Sequence, residues 1–323
     1  MPRLTVTARI ESWPIAGRFV IARGAKTEAR VVVAEVNDGV HAGRGECVPY
    51  PRYGQSAEAT RDAILAWEPC SRAELRQRMA PSAARNAIDC ALWDLEAKRA
   101  GVAASVLAGV GPLGARNTCF TLGLDTPEDM AARAIAARPM SVLKLKLAGA
   151  GDEARMRAVR AARPDATLLA DANESWRPGD LAPLLAIAAE TRMALIEQPL
   201  PADDDDALTR IARPVPVCAD ESAHARDGLA DLRDRYDAVN IKLDKTGGLT
   251  EALAMAEAAR RLGFRIMVGC MVATSLSMAP ACLLAQRADW VDLDGPLLLS
   301  RDRQHGLVYS DGSIAPPTPA LWG

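Results

Sequence analysis

Histidine is nearly absent from this chain: it occurs three times in 323 residues, at His41, His224 and His305. A metal-dependent hydrolase usually draws ligands or its water-activating base from histidine, so that class is disfavoured at once. Paired cysteines are missing as well. The seven cysteines are an odd number with no CxxC spacing, which argues against a disulfide framework and for free thiols in a reducing, cytoplasmic compartment. No apolar run is long enough to span a bilayer. Residues 1–17 hold no apolar core behind a basic start, so no secretory signal is expected. Charge of one sign is not in excess either: 39 basic against 41 acidic residues leave a net charge of −2, and neither a nucleic-acid surface nor a membrane patch is expected. What remains, 49% hydrophobic and 25% charged residues, is the composition of a soluble globular protein with a sizeable core. The length suggests about two domains.

The first 114 residues read as an α+β unit. Strands are expected over 4–10 and over the β-branched run 29–36, with a basic, glycine-broken stretch at 18–26 between them. Helices are expected over 57–68 and 82–100, the latter capped by Ser82 after Pro81 and stopped by Gly101. From 115 to 300 the pattern changes to short apolar strands alternating with alanine-rich amphipathic helices, such as 128–138, 153–162 and 250–261. Each strand ends in polar residues: Thr121, Lys146, Asp171, Glu197, Asp220, Lys242, the Gly269-Cys270-Met271 turn, and Asp292 with Asp294. Their near-constant spacing over eight units suggests a closed parallel α/β barrel, whose chemistry sits at the C-terminal ends of the strands. The structural rival, a doubly wound open sheet, would gather its site at one crevice. The proline-containing tail, 301–323, is expected to return to the first unit.

Lysine placement organises the barrel. In Leu143-Lys144-Leu145-Lys146-Leu147 the leucines share one strand face and the lysines the other. On an edge strand the lysines would lie in water; in a closed barrel they point inward, where burial and mutual repulsion are expected to lower their pKa values and make one a usable base. In Ala238-Val239-Asn240-Ile241-Lys242 the same parity turns Asn240 and Lys242 inward and leaves Lys245 beyond the strand, as a loop or supporting residue. Strands two and six of an eight-stranded barrel oppose each other, so Lys146 and Lys242 would flank a substrate from its two faces. Asp171, Glu197 and Asp220 end three consecutive strands. Three converging anions repel without a cation, and an all-oxygen set suits Mg²⁺ or Mn²⁺. The acidic run 203–206 reads as a solvated helix start.

Together, Lys144-Leu-Lys146, Asp171-Ala-Asn173, Glu197-Gln198-Pro199, Ala219-Asp220-Glu221-Ser222, Asn240-Ile-Lys242, Gly269-Cys270-Met271 and Asp292-Leu-Asp294-Gly295-Pro296 resemble the enolase superfamily, in its muconate-lactonizing-enzyme-like subgroup and among the dipeptide epimerases acting on L-Ala-D/L-Glu. The resemblance spans essentially the whole chain. It implies a modified TIM barrel of (β/α)7β type, here 115–300, under an α+β capping domain, 1–114 completed by 301–323. By the same resemblance Asp171, Glu197 and Asp220 are metal ligands for Mg²⁺, and Lys146 and Lys242 are the acid/base catalysts. Lys144 is expected to neutralise the substrate carboxylate and depress the pKa of Lys146. Asp292 and Asp294 would receive the dipeptide's ammonium group, and Arg23 would pair with the glutamate side chain, a role Arg18, Lys26 or Arg52 could also fill. Thr121, Met271 and Tyr53 are expected pocket walls. The implied reaction removes the proton α to a carboxylate, with the cation stabilising the enediolate charge and the second lysine returning a proton to the opposite face. Recycling of cell-wall peptides and a homo-oligomer are further implications.

Within that superfamily, o-succinylbenzoate synthase and N-acylamino acid racemase have no evident use for an anionic pair that receives an ammonium group. Acid-sugar dehydratases need a strand-seven histidine where this chain has Gly269-Cys270-Met271. A metal-dependent hydrolase and a non-catalytic barrel are the alternatives of other classes; the second would have to explain inward lysines and carboxylates kept at high electrostatic cost.

Overall fold

Side-chain alternation sorts the N-terminal sheet into two cores. In the computed structural model, which describes residues 4–323, β1 (Thr5–Ile21), β2 (Gly24–Asn37) and β3 (Ala42–Cys47) form an antiparallel sheet in that order. Along β2, Val32, Ala34 and Val36 pack into one cluster while Val31 and Val33 belong to the cluster that continues into the barrel. Burial on both faces explains the uninterrupted apolar run Val31–Ala34. The stretch 18–26 is not a loop. β1 and β2 stay paired to Ile21↔Gly24, with a shift of register between Pro14 and Phe19. Gly24 reads as a break, whereas it opens β2 directly after the two-residue turn Ala22-Arg23 of one long hairpin.

Helices α1 (Ala57–Leu65), α2 (Arg72–Arg78), α3 (Ala83–Ala100) and the short α4 (Ala104–Leu107) follow. Ser82 caps α3 by accepting from the Arg85 amide, and Gly101 ends it in the left-handed region at φ 63°. α3 lies so close to β3 that a β-carbon on Gly43 would stand 2.1 Å from the Ala91 carbonyl oxygen, and one on Gly45 2.1 Å from that of Ala87.

Eight parallel strands then follow one another around a barrel in chain order: β5 (Phe120–Leu122), β6 (Val142–Lys146), β7 (Thr167–Asp171), β8 (Met193–Glu197), β9 (Val217–Ala219), β10 (Ala238–Ile241), β11 (Arg265–Gly269) and β12 (Trp290–Asp292). The first and last are joined by the Cys119 amide donating to the Val291 carbonyl at 2.9 Å and by the Leu293 amide donating to Thr118 Oγ1 at 2.9 Å. Cys119, Leu169, Leu195, Cys218, Ala238, Met267 and Trp290 cluster together as interior packing, so the barrel is a filled core rather than a pore. Helices α5 (Pro127–Ala136), α6 (Asp152–Ala162) and α7 (Leu181–Glu190) follow β5 to β7; α8 (Leu243–Thr246) and α9 (Leu249–Arg261) follow β10, and α10 (Ser275–Ala285) follows β11. After β8 and β9 the expected helices are only 3-10 turns, Asp206–Arg210 and Leu229–Leu232. These are the two shortest strand-to-strand steps, and between β8 and β9 Pro199, Pro201, Pro214 and Pro216 further leave little chain free to coil.

β13 (Tyr309–Ser310) pairs with β14 (Ser313–Ile314), which pairs in turn with β4 (Arg116–Asn117). The last residues reach the first unit: Trp322 Nε1 donates to the Cys90 carbonyl at 3.0 Å, and Arg303 pairs with Glu46 at 2.6 Å and Glu11 at 2.5 Å. Among the described residues no helix is long and apolar enough to cross a membrane.

The close packing of β3 on α3 gives a first test. Gly45→Ala is expected to cost at least about 2 kcal/mol, because the atoms a methyl group would meet are backbone and cannot turn aside. Urea unfolding monitored by far-UV circular dichroism checks it; an unchanged midpoint would contradict the geometry.

Candidate active site

Hydrogen-bonded register brings the charged residues together. In the β6–β7–β8 ladder Lys146 stands opposite Asp171, and Asp171 opposite Glu197. β6 lies between β5 and β7, so its lysines have no edge to escape to, and both are buried. Lys146 Nζ donates to Asp171 Oδ2 at 2.6 Å. Lys144 Nζ lies 2.6 Å from Glu197, 2.7 Å from Asp292 and 3.3 Å from Asp171. Lys242, one residue past β10, donates to Asp220 Oδ2 at 2.7 Å and lies 3.8 Å from Glu197. Asn240, inward as parity requires, donates from Nδ2 to Glu197 Oε1 at 2.7 Å.

These groups open on a pocket of about 360 Å³ between barrel and cap, lined by Lys144, Lys146, Asp220, Glu221, Lys242, Asp292 and Asp294 from below. Thr121, Cys270 and Met271 line it too. The cap side is made by Phe19, Ile21, Arg23 and Lys26 of the hairpin and by Tyr50 and Tyr53.

The electrostatics differ from the expectation that paired lysines lower each other's pKa. Burial alone would lower Lys144, but Asp292, Glu197 and Asp171 outweigh it and hold the ammonium well above the usual lysine range. Lys242 is likewise pushed down by burial and held well up by Asp220 and Glu197. The carboxylates respond in kind. Burial tends to raise Asp171 and Asp220, yet the lysines beside them keep both low. Glu197, buried beside Asp171 and Asp220, is raised. Burial and the neighbouring Asp292 push Asp294 up to about 7, and burial with Asp220 does the same to Glu221.

Among the described residues no three His, Cys, Asp or Glu side chains are drawn into a ready metal cluster; ammonium groups bridge the carboxylates instead. The chemistry fits nonetheless: all donors are oxygen, as a hard cation prefers, and Glu197 is held in a charge state that added positive charge would relieve. Buried Glu221 Oε2 and Asn173 Oδ1 have no hydrogen-bond partner among the described residues, and Glu197 Oε2 is met by Lys144 Nζ alone, at 2.6 Å.

Other anticipated residues are placed less simply. Asp292 ends β12, while Asp294 begins the following 3-10 turn, so they share the pocket but not a strand. Asp292 is engaged by Lys144 and by the Cys119 thiol at 2.9 Å, and Asp294 accepts the Thr121 amide at 2.6 Å. Arg23 reaches the pocket from the turn of the hairpin, but Glu221 and Glu174 already pair with it. The acidic run is not wholly solvated: Asp205 is buried and accepts from Tyr236 at 2.6 Å and Ser222 at 2.7 Å.

Lys245 has a larger part than its parity suggested. The single turn of α8, ended by Gly247 at φ 69°, swings it inward, and it donates to Asp220 Oδ1 at 2.6 Å and to the Asn240 carbonyl at 2.9 Å. Gln198 was visible only as part of a motif. Its Oε1 accepts the Asp220 amide at 2.8 Å and the Ser222 amide at 3.2 Å, which fixes the loop carrying Asp220. Gly269 explains why strand seven offers no side chain: a β-carbon there would lie 2.6 Å from Asn240 Oδ1.

Comparison with known proteins identifies the family. Residues 3–109 match the family described as mandelate racemase / muconate lactonizing enzyme, N-terminal domain, and residues 128–320 match the family described as enolase C-terminal domain-like. The chain is 45% identical to the L-Ala-D/L-Glu epimerase of Escherichia coli (strain K12), over 96% of this chain and 99% of that one. It is 42% identical to an N-acetyl-D-glutamate racemase of a Pseudoalteromonas species, over 91% and 95%. The crystal structure of an enolase family member from Agrobacterium tumefaciens with homology to dipeptide epimerases, with sodium and L-Ala-L-Glu bound, superposes with a TM-score of 0.98 at 52% identity, covering 99% of this chain and all of that one. The chain therefore belongs to the enolase superfamily, with the barrel and capping domain that define it. It is an isomerase.

Asp244, two residues from Lys242, gives the next test. It accepts from the Val48 amide at 3.0 Å and from Asn86 at 2.8 Å, and burial raises its pKa from 3.8 to about 7. A carboxyl whose folded pKa is raised binds more protons folded than unfolded, so its contribution to stability falls as pH rises from about 4 to about 7 and then levels off. Asp244→Asn, which keeps the accepting oxygen, is expected to gain on the order of 2–4 kcal/mol at pH 8 relative to pH 4. Thermal melts at both pH values check this; a gain that does not grow with pH would refute it.

Proposed function

We propose that the protein epimerises the α-carbon of the glutamate in L-Ala-D/L-Glu-type dipeptides by proton transfer between two lysines. The observation that carries this is the placement of Lys146 and Lys242 in one buried pocket, on strands β6 and β10 that stand apart around the barrel, each aligned by a carboxylate at 2.6–2.7 Å. Asp171, Glu197 and Asp220 would hold a Mg²⁺ ion. A cation there would offset the negative field that holds Lys242 protonated and would stabilise the charge that builds on the substrate carboxylate as the α-proton leaves.

One lysine, neutral, takes the α-proton, and the other, as ammonium, returns a proton from the opposite side. Lys144 pairs with the substrate carboxylate, and Lys245 and Gln198 keep Asp220 in place. Asp294 and Asp292 face the amino end of the dipeptide, Arg23 lies toward the glutamate side chain, and Thr121 and Met271 form the walls. Phe19, whose ring centre is 6.0 Å from Lys146 Nζ, helps exclude water above the reacting carbon. Residues 1–114 with 301–323 act as the cap and 115–300 as the catalytic barrel. The relatives' Ala-Glu chemistry supports a place in cell-wall peptide metabolism.

A second reading, racemisation of an N-acylated glutamate, is favoured by the Pseudoalteromonas relative and by the engagement of Asp292 with Lys144, which leaves less negative charge for an ammonium group. Proton NMR in D₂O with Mg²⁺ decides between them. L-Ala-L-Glu and L-Ala-D-Glu are each expected to lose the glutamate α-proton signal and yield the other diastereomer. Lys146→Ala and Lys242→Ala should each cut epimerisation at least about a hundredfold. Turnover of N-acetylglutamate without turnover of either dipeptide would replace the first reading by the second, and exchange without epimerisation would mean one lysine is misassigned.

A further inference from the structure

Lys242 heads a segment whose backbone is completed from outside the barrel. It is the N-cap residue of α8, and its carbonyl accepts the Lys245 and Thr246 amides at 3.0 Å. The helix lasts four residues and closes at Gly247; α9 then begins after Gly248 with no capping side chain of its own. Two helix ends in so short a stretch leave carbonyls and amides that the segment cannot satisfy itself.

Helix α3 of the cap supplies the missing partners. Arg85 donates from Nε to the Gly247 carbonyl at 2.9 Å and from Nη2 to the Thr246 carbonyl at 2.6 Å. Asp89 takes the other helix end, accepting the Thr250 amide at 2.9 Å and the Thr250 hydroxyl at 2.6 Å. Asn86 donates to Asp244 Oδ1 at 2.8 Å, between the two. Spacings of four and three residues put Arg85 and Asn86 on the same helix face as Asp89. The fit leaves no slack: a β-carbon on Gly247 would stand 2.5 Å from Arg85 Nε, and one on Gly248 2.5 Å from the Asp89 β-carbon. Arg85 is buried, and its hydrogen bonds, including one from Nη1 to the Met79 carbonyl at 2.8 Å, all go to backbone carbonyls. A buried guanidinium is costly unless its donors are met; here the negative end of a helical turn meets them.

We propose that Arg85, seconded by Asn86 and Asp89, is a positioning residue for proton transfer at Lys242: the cap helix sets the α8 turn, and with it the ammonium group at its head. None of the three lines the pocket. Their bonds run to the segment 244–250 and not to β6, so Lys146 lies outside their reach. This rests on the reading of Lys146 and Lys242 as the two bases, and adds that one of them, and not the other, depends on the cap helix.

The consequence is one-sided, which separates positioning from general support of the fold. Early exchange of the glutamate α-proton is followed by proton NMR in D₂O with Mg²⁺, for L-Ala-L-Glu and L-Ala-D-Glu separately. Lys242→Ala marks the diastereomer whose α-proton faces that lysine, as the one whose exchange it abolishes. Arg85→Met is expected to slow exchange of that diastereomer about tenfold and to leave the other within about threefold. Epimerisation falls in both directions, as a fixed equilibrium requires. Arg85→Lys, which keeps a donor but not the fork, should lie between the wild type and Arg85→Met. Should Arg85→Met not fold, Asp89→Asn gives the same reading from the other end of the segment. Equal slowing of both diastereomers, slowing of the opposite one, or no slowing in a folded variant would overturn the proposal. If the wild type acts on N-acetylglutamate instead, its two enantiomers take the place of the diastereomers. If it exchanges none of these, the two-lysine reading fails separately and amide hydrogen exchange decides. The Lys245, Thr246, Gly247 and Gly248 amides are then expected to exchange at least about tenfold faster in Arg85→Met, with the β6–β7 ladder unchanged; unaltered protection of that turn would refute the role of Arg85.

Discussion

The constraint on which this molecule turns is a surplus of buried negative charge at the mouth of the barrel. Asp171, Glu197, Asp220, Glu221, Asp292 and Asp294 are all buried there, faced by the four buried lysines Lys144, Lys146, Lys242 and Lys245 and by Arg23 at the rim. Isolated charges in such surroundings would be prohibitively expensive. They are tolerable because Asp171, Glu197, Asp220 and Asp292 each touch an ammonium group at hydrogen-bond distance, Glu221 touches the Arg23 guanidinium, and Asp294 accepts a backbone amide. The balance is incomplete, and it shows where it falls short: Glu197 is raised, and Glu221 and Asp294 are driven toward neutrality. A substrate that is itself an anion would add to the surplus. Both facts favour a cation as part of the working site.

Secondary structure exists here largely to hold that balance still. Parallel ladders fix Lys146, Asp171 and Glu197 in a row, and backbone hydrogen bonding gives them little freedom to separate. Where a ladder ends, side chains take over: Gln198 for the loop of Asp220, Lys245 for its carboxylate, Asn240 for Glu197. The absence of a β-carbon at Gly269 leaves room for Asn240. Without that space Glu197 would lose its one neutral donor and the repulsion among the acids would grow.

Much of this was legible in the sequence, for a physical reason. Period-two alternation on short barrel strands states which residues face inward, so Lys144, Lys146, Asp171, Glu197, Asn240 and Lys242 could be placed before any coordinates. The fold class followed from the even spacing of polar strand ends. Parity stopped being a guide where the strand stopped. Lys245 was underrated because one helical turn reversed its direction. Asp205 was read as solvated because its partners Tyr236, Ser222 and Arg235 lie on other segments. The two missing helices were hidden for the opposite reason: the short steps, and after β8 the prolines, that disfavour them were present in the chain, but an even repeat invites the assumption of equal units. The sign of the Lys144 shift was misjudged because a like-charge neighbour on the same strand is visible locally, whereas the acids that outweigh it come from other strands.

The division between cap and barrel separates two demands that conflict within one element. Proton transfer needs groups held to a few tenths of an ångström, which strand ends anchored in a filled barrel provide. Choice among substrates needs a wall whose side chains can differ without disturbing that geometry. The β1–β2 hairpin meets this second demand: it crosses the mouth from outside, touches the barrel through Arg23 and its two glutamates, and contributes none of the strand-borne carboxylates or lysines. A change on the hairpin therefore alters what is held against the catalytic groups while leaving their mutual distances to the barrel. Under the proposed function that arrangement would leave the choice of substrate to residues that sit apart from the chemistry, and the relatives are indeed named for different substrates, L-Ala-D/L-Glu and N-acetyl-D-glutamate.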